Sequence, residues 1–171
     1  MTKKPIPGTW LRHTSPIRKD QLPTFSYLAA MKKKTIGRFD RADFPELQLT
    51  DIAVKIDTGA YSSAIHCDNI KEEDGILKCT FLDEEHPQYN GKEFTFKDYE
   101  VVFVRSSNGI VQRRYQIKSS IKIFDQVYKI SLSLSARQEM RYPVLLGRKF
   151  LTKKFIVDTE FFDLSYNARS K

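Results

Sequence analysis

The chain breaks into short apolar and β-branched runs that turn-forming residues repeatedly interrupt, a pattern that favours strands over packed helices. Thr35–Arg38, Leu47–Ile56, Ile76–Leu82, Phe94–Phe96, Glu100–Val104, Ile110–Ile117, Ile121–Phe124 and Val127–Leu134 read as strands. Asn90-Gly91 and Asn108-Gly109 are turn signals, because both residue types tolerate the positive φ of tight hairpins. Phe124-Asp125-Gln126-Val127 reads as a further hairpin. One short segment, around Gly147–Lys153, has helical character. Many short strands with frequent turns predict an all-β barrel or sandwich. At 171 residues the chain suits one domain with extensions.

The formal net charge of +8 points first to a polyanionic partner, but its location argues otherwise. Residues 1–34 carry eight Lys and Arg against Asp20 alone, and residues 35–171 are nearly balanced. The division expected is a basic, flexible N-terminal arm over 1–34 and a folded domain over 35–171. Such an arm attracts polyanions weakly and serves solubility equally well, so nucleic-acid binding is not expected as the main task. No apolar stretch approaches the roughly 18–20 residues of a membrane span. Pro5, Pro7, Arg12, Arg18 and Lys19 break up any signal-like segment, so a cytoplasmic protein is expected. Cys67 and Cys79 are too few for a disulfide framework and read as free thiols.

The segment richest in chemistry is Ala53-Val54-Lys55-Ile56-Asp57-Thr58-Gly59-Ala60-Tyr61. An apolar strand runs straight into an acid. A strand end holds a carboxylate rigidly, Gly permits a sharp turn, and the following N–H groups can grip the acid. An ordinary Asp-Thr-Gly turn would look the same. Ninety residues later, Tyr142-Pro143-Val144-Leu145-Leu146-Gly147-Arg148-Lys149-Phe150-Leu151 carries an apolar run into Gly-Arg and a short amphipathic segment.

Together these segments resemble the retropepsin-like aspartic proteases. With Ile36-Gly37-Arg38 they resemble a bacterial branch labelled "ATP-dependent zinc protease", found near ATP-grasp ligases that add glutamates. The resemblance implies a closed, all-β acid-protease barrel with one short C-terminal helix, and a homodimeric peptidase. It makes Asp57 the catalytic acid, Thr58 a bridge to the partner subunit, and Gly59 a backbone N–H donor. Gly147 would allow close packing behind the loop. Arg105–Ile117 falls at the flap, with Asn108 and Gly109 at its tip, and Ala60 and Leu145 fall along the substrate channel. One chain supplies one Asp-Thr-Gly. The chemistry needs two carboxylates sharing a proton, so the second is expected from a two-fold partner. One departure stands out: retroviral members pair the Arg of Gly-Arg with an Asp four positions after the catalytic one, and Tyr61 occupies that position here. Arg148 must therefore find another partner. Asp158 is an alternative second carboxylate, or a turn residue at a strand end.

Strand alternation places Lys55 on the face of Asp57, and Arg137, Arg141 and Tyr142 precede Gly147. These cations predict a channel for an acidic peptide or protein substrate such as a glutamate-rich tail. A solvated Lys55 at a barrel rim is the plainer reading. No cofactor or metal is expected: His13, His66 and His86 form no His-Glu-x-x-His, and His66 and Cys67 point to opposite strand faces. The competing functions are a zinc-dependent peptidase and a non-catalytic module that binds peptide or regulates a ligase.

Overall fold

The computed structural model describes residues 33–105, 109, 111–136 and 141–169. Most of the predicted arm, at 1–32, and the predicted flap-tip residue Asn108 lie outside them, as does Arg137. The described part is mostly strand, with two short helices. Strands β1 (Lys34–Ile36), β2 (Phe39–Phe44) and β3 (Leu49–Asp57) are followed by β4 (Ser63–Glu73), β5 (Ile76–Phe81) and β6 (Glu93–Phe96). Then come β7 (Tyr99–Arg105), β8 (Val111–Ile123), β9 (Gln126–Ser135), β10 (Val144–Gly147), helix α1 (Arg148–Leu151), β11 (Phe155–Val157) and helix α2 (Leu164–Asn167). The main sheet has the order β10-β3-β2-β8-β9-β4-β5-β6, with β7 on β8 and a further pairing of β10 with β4. β1 and β11 form a separate parallel pair.

Burial explains why these segments are strands. On β3, Ile52, Val54 and Ile56 face the core while Lys55 is exposed and Asp57 half-buried, a period of two. Ile65, Ile117, Ile121, Leu132, Val144 and Leu146 belong to the same core, each buried side chain contributing about 1.5–3 kcal/mol. The β8–β9 hairpin turns on Phe124 and Asp125, with φ of 52° and 55°, as its sequence predicts. β4 and β5 join through Asp74-Gly75, also both at positive φ, a turn that the sequence reading passed over.

Other boundaries moved for local reasons. The strand expected from Leu47 starts at Leu49, because Pro45–Leu47 form a 3-10 turn. The two strands expected around 110–124 are one thirteen-residue strand, β8. Asn90-Gly91 sits late in the long 82–92 connection rather than at a two-residue hairpin. β2, β10 and α2 were not predicted, and β4 and β11 were implied without bounds, by the strand positions read for His66, Cys67 and Asp158.

Helix α2 is tied down by Asp40 on β2, which is 1% exposed. Its Oδ2 accepts the Ser165 N–H at 2.8 Å, and its Oδ1 accepts those of Tyr166 at 3.1 Å and Arg41 at 2.8 Å. Burial raises this carboxyl above its ordinary range despite those donors.

Candidate active site

Asp57 ends β3, where register with β10 sets it beside Gly147. Its Oδ1 accepts two backbone N–H groups, from Gly59 at 3.0 Å and Ala60 at 3.1 Å. Both donors come from the turn that follows the strand, so the carboxylate is held by its own loop. A Cβ at Gly59 would stand 3.3 Å from that oxygen, which favours glycine there.

A second layer holds the loop. Arg148 Nη1 donates to the carbonyls of Thr58 and Gly59, both at 2.8 Å. The Arg148 and Lys149 N–H groups reach the Ala60 and Tyr61 carbonyls at 2.9 Å. Gly147 lies so close behind that a Cβ would meet the Ser62 carbonyl oxygen at 2.4 Å. Its N–H donates to the buried Ser63 Oγ at 3.1 Å. The partner Arg148 lacks at Tyr61 is therefore replaced by backbone carbonyls of the loop itself, and Tyr61 is 66% exposed.

Asp57 opens onto a cleft of about 720 Å³. Gly59, Ala60, Ala64 and Leu145 line its floor, and Phe103, Val104, Arg105 and Arg114 form the wall from the paired β7 and β8. Arg148 completes a lining of three arginines against one carboxylate, Asp57. Of the predicted residues, the structure thus brings together Asp57, Gly59, Ala60 and Leu145. Thr58 is exposed beside them and Gly109, at φ +82°, lies near the end of the hairpin.

Two predicted channel residues do not line the cleft. Lys55 shares the face of Asp57 but sits further back, opposite Phe39 and Leu145. Arg141 stands over the Tyr142 ring, which also stacks on Phe39, and none of the three lines the cleft. Arg105 and Arg114, which the sequence reading did not single out, occupy the cationic role instead. Their signal was strand alternation on a hairpin already placed at the flap. Asp158 is a turn residue: its Oδ1 accepts the Glu160 N–H at 3.0 Å. Among the described residues, no three His, Cys, Asp or Glu groups are arranged to hold a metal ion.

The family described as "Retropepsin-like aspartic endopeptidase RimB" matches residues 35–161. That description differs from the zinc-protease label attached to the resemblance. Curated relatives from Shewanella halifaxensis and Desulfotalea psychrophila, both described as "Probable alpha-L-glutamate ligase", are 33% and 32% identical over 132 residues, 74% of this chain. The chain spans only 28% of the length of those relatives. The crystal structure of a protein of unknown function from Legionella pneumophila is 27% identical, with a TM-score of 0.57. The match covers 77% of this chain and 98% of that one.

Proposed function

Because this chain belongs to the RimB-like family of retropepsin-like aspartic endopeptidases, we propose that it hydrolyses acidic peptides through water activated by Asp57. The observation that carries this reading is the carboxylate itself: rigid at a strand end, gripped by two N–H groups and facing a cleft. Two such carboxylates about 3 Å apart share one proton, since both cannot ionise at that distance. The ionised member then takes a proton from water while the protonated one donates to the scissile carbonyl. The second carboxylate is Asp57 of a two-fold partner, with Thr58 bridging the subunits. The pairing of β10 with both β3 and β4 supports a closed barrel. The arginine lining supports acidic, glutamate-rich substrates. Free, buried Cys67 and Cys79 fit a cytoplasmic setting.

Asp57→Asn should bind an oligoglutamate peptide as the wild type does and cut it at least 10³-fold more slowly. Sedimentation with the peptide should show a dimer. An Asn variant that still cuts would end the reading.

A second reading rests on the relatives' names: a module that presents acidic peptide to a glutamate ligase without cutting it. Peptide binding by the wild type with no turnover would select it.

A further inference from the structure

A second cleft, of about 700 Å³, is lined by Asp68, Asn69, Asp83, Glu84, Glu85 and Tyr89. Four of these six are carboxylates and none is basic. Behind Asp68 and Asp83, outside the cleft lining itself, lies His66, whose side chain is 3% exposed. Neither ring nitrogen of His66 has a hydrogen-bond partner. Its Nε2 faces Asp83 Oδ2 at 3.6 Å and Asp68 Oδ1 at 3.9 Å. Those separations exceed the roughly 2.7–3.2 Å of an N–H···O bond, so three polar atoms converge without satisfying one another. An unsatisfied buried polar atom is costly, which points to a ligand in front of His66.

The cluster is held in place. β4 carries a register shift between Asp68 and Lys71, with Asn69 at φ 53°. The Leu82 N–H donates to the His66 carbonyl at 3.2 Å, which ties the segment bearing Asp83 to β4. Two carboxylates converging in an acidic cleft suit a compact cation with several donors. A primary ammonium has three rotatable donors, whereas a planar guanidinium fork matches one carboxylate.

We propose that this cleft is a subsite for a primary ammonium group of a polypeptide, held by Asp68 and Asp83 in front of His66. Ala64 lines the Asp57 cleft, and Asp68 follows four residues later on the same strand, about 13 Å away. An extended peptide of about four residues matches that distance, with an acidic stretch at Asp57 and an amine at the second cleft. This placement rests on the Asp57 cleft being the substrate site, but binding at the acidic cleft does not require turnover.

The test uses the Asp57→Asn chain and labelled glutamate-rich peptides in which one lysine is moved two to six residues from the acidic run. Fluorescence anisotropy should show one preferred position, where lysine binds at least tenfold tighter than acetyl-lysine or arginine. A lysine peptide and a peptide with a free amino terminus at that position distinguish the two sources of ammonium. Asp68→Asn with Asp83→Asn, both at partly exposed positions, should erase the preference and leave acetyl-lysine binding unchanged. A flat positional profile, equal binding of lysine and acetyl-lysine, equal binding of arginine, or a preference that survives the double variant would each overturn the proposal. The lysine preference in a wild type that cuts nothing would remove the hydrolase reading alone.

Discussion

Arg148 holds the loop that follows Asp57 through Thr58, whose carbonyl oxygen accepts its Nη1 at 2.8 Å, with the neighbouring Gly59 carbonyl accepting the same nitrogen at 2.8 Å. One guanidinium nitrogen thereby fixes two successive peptide planes, and the Gly59 N–H that grips Asp57 belongs to one of them. Within a single chain, this bond does the bracing that the Arg–Asp pair supplies in the retroviral pattern.

Arg148→Ala should therefore loosen the loop more than the fold. The expected loss is about 10²-fold in kcat, the scale for a reacting group misplaced by about 1 Å. Stability should fall by no more than about 1 kcal/mol, since the side chain lies at the surface. Arg148→Lys should recover little, because an ammonium does not reproduce the planar fork. Steady-state kinetics beside urea unfolding separate the two effects. Wild-type kcat in Arg148→Ala would mean that the loop holds its shape without the side chain.

Two glycines should respond differently to the same change. In Gly147→Ala, the new methyl meets the Ser62 backbone at 2.4 Å, and backbone cannot swing aside. A loss of about 1–3 kcal/mol or more follows, of the size seen for overpacking. In Gly59→Ala, the nearest atom is Asp57 Oδ1 at 3.3 Å, the end of a side chain that can give way. Here stability should stay within about 1 kcal/mol, while turnover drops because the carboxylate has moved. Thermal melts and rates on both variants decide this; a Gly59→Ala protein with wild-type turnover would show that the Oδ1 position is not critical.

The contrast between Asp57 and Arg105 shows how far the sequence reaches. The position of Asp57 was legible because strand, acid and glycine are contiguous, so local geometry alone sets the carboxylate at the strand end. The distant Gly147 segment was legible because a β-carbon cannot fit behind that loop. Arg105 and Arg114 were not singled out, since their place in the cleft depends on how the β7–β8 pair packs. Lys55 shows the converse: alternation fixed its face correctly but not its distance from the cleft. The extent of β4 was not read beyond His66 and Cys67 because its second half is polar, and its pairing with β5, β9 and β10 rather than its composition makes it a strand.

Cys67 and Cys79 are both fully buried, and the Cys67 thiol is pushed up first by its hydrogen bond to Cys79 and then by burial. A thiol held in its protonated form is a poor nucleophile. Iodoacetamide at neutral pH should leave both unmodified in the folded chain and label both in urea, as read by mass spectrometry. Labelling of the native chain within minutes would show that the β4–β5 ladder opens readily.

Asp40 supplies a pH dependence whose sign follows from its burial. Asp40→Ala leaves the buried Ser165 N–H without its acceptor, at a cost of about 1–3 kcal/mol. The titration is separate. Burial, the largest influence, raises the folded carboxyl above the unfolded one, so the folded chain binds that proton more tightly. Its contribution is complete below the unfolded value, about 3.9, and is lost as pH rises through the folded value. Asparagine does not titrate. The stability of the wild type relative to Asp40→Asn should therefore be greatest in acid, decline as pH climbs from about 4, and level off above the raised folded value. Urea unfolding of both chains across that range measures the gap directly. A gap that widens with rising pH would mean that the donors from Ser165, Tyr166 and Arg41 outweigh burial, and that Asp40 favours its charged form in the folded chain.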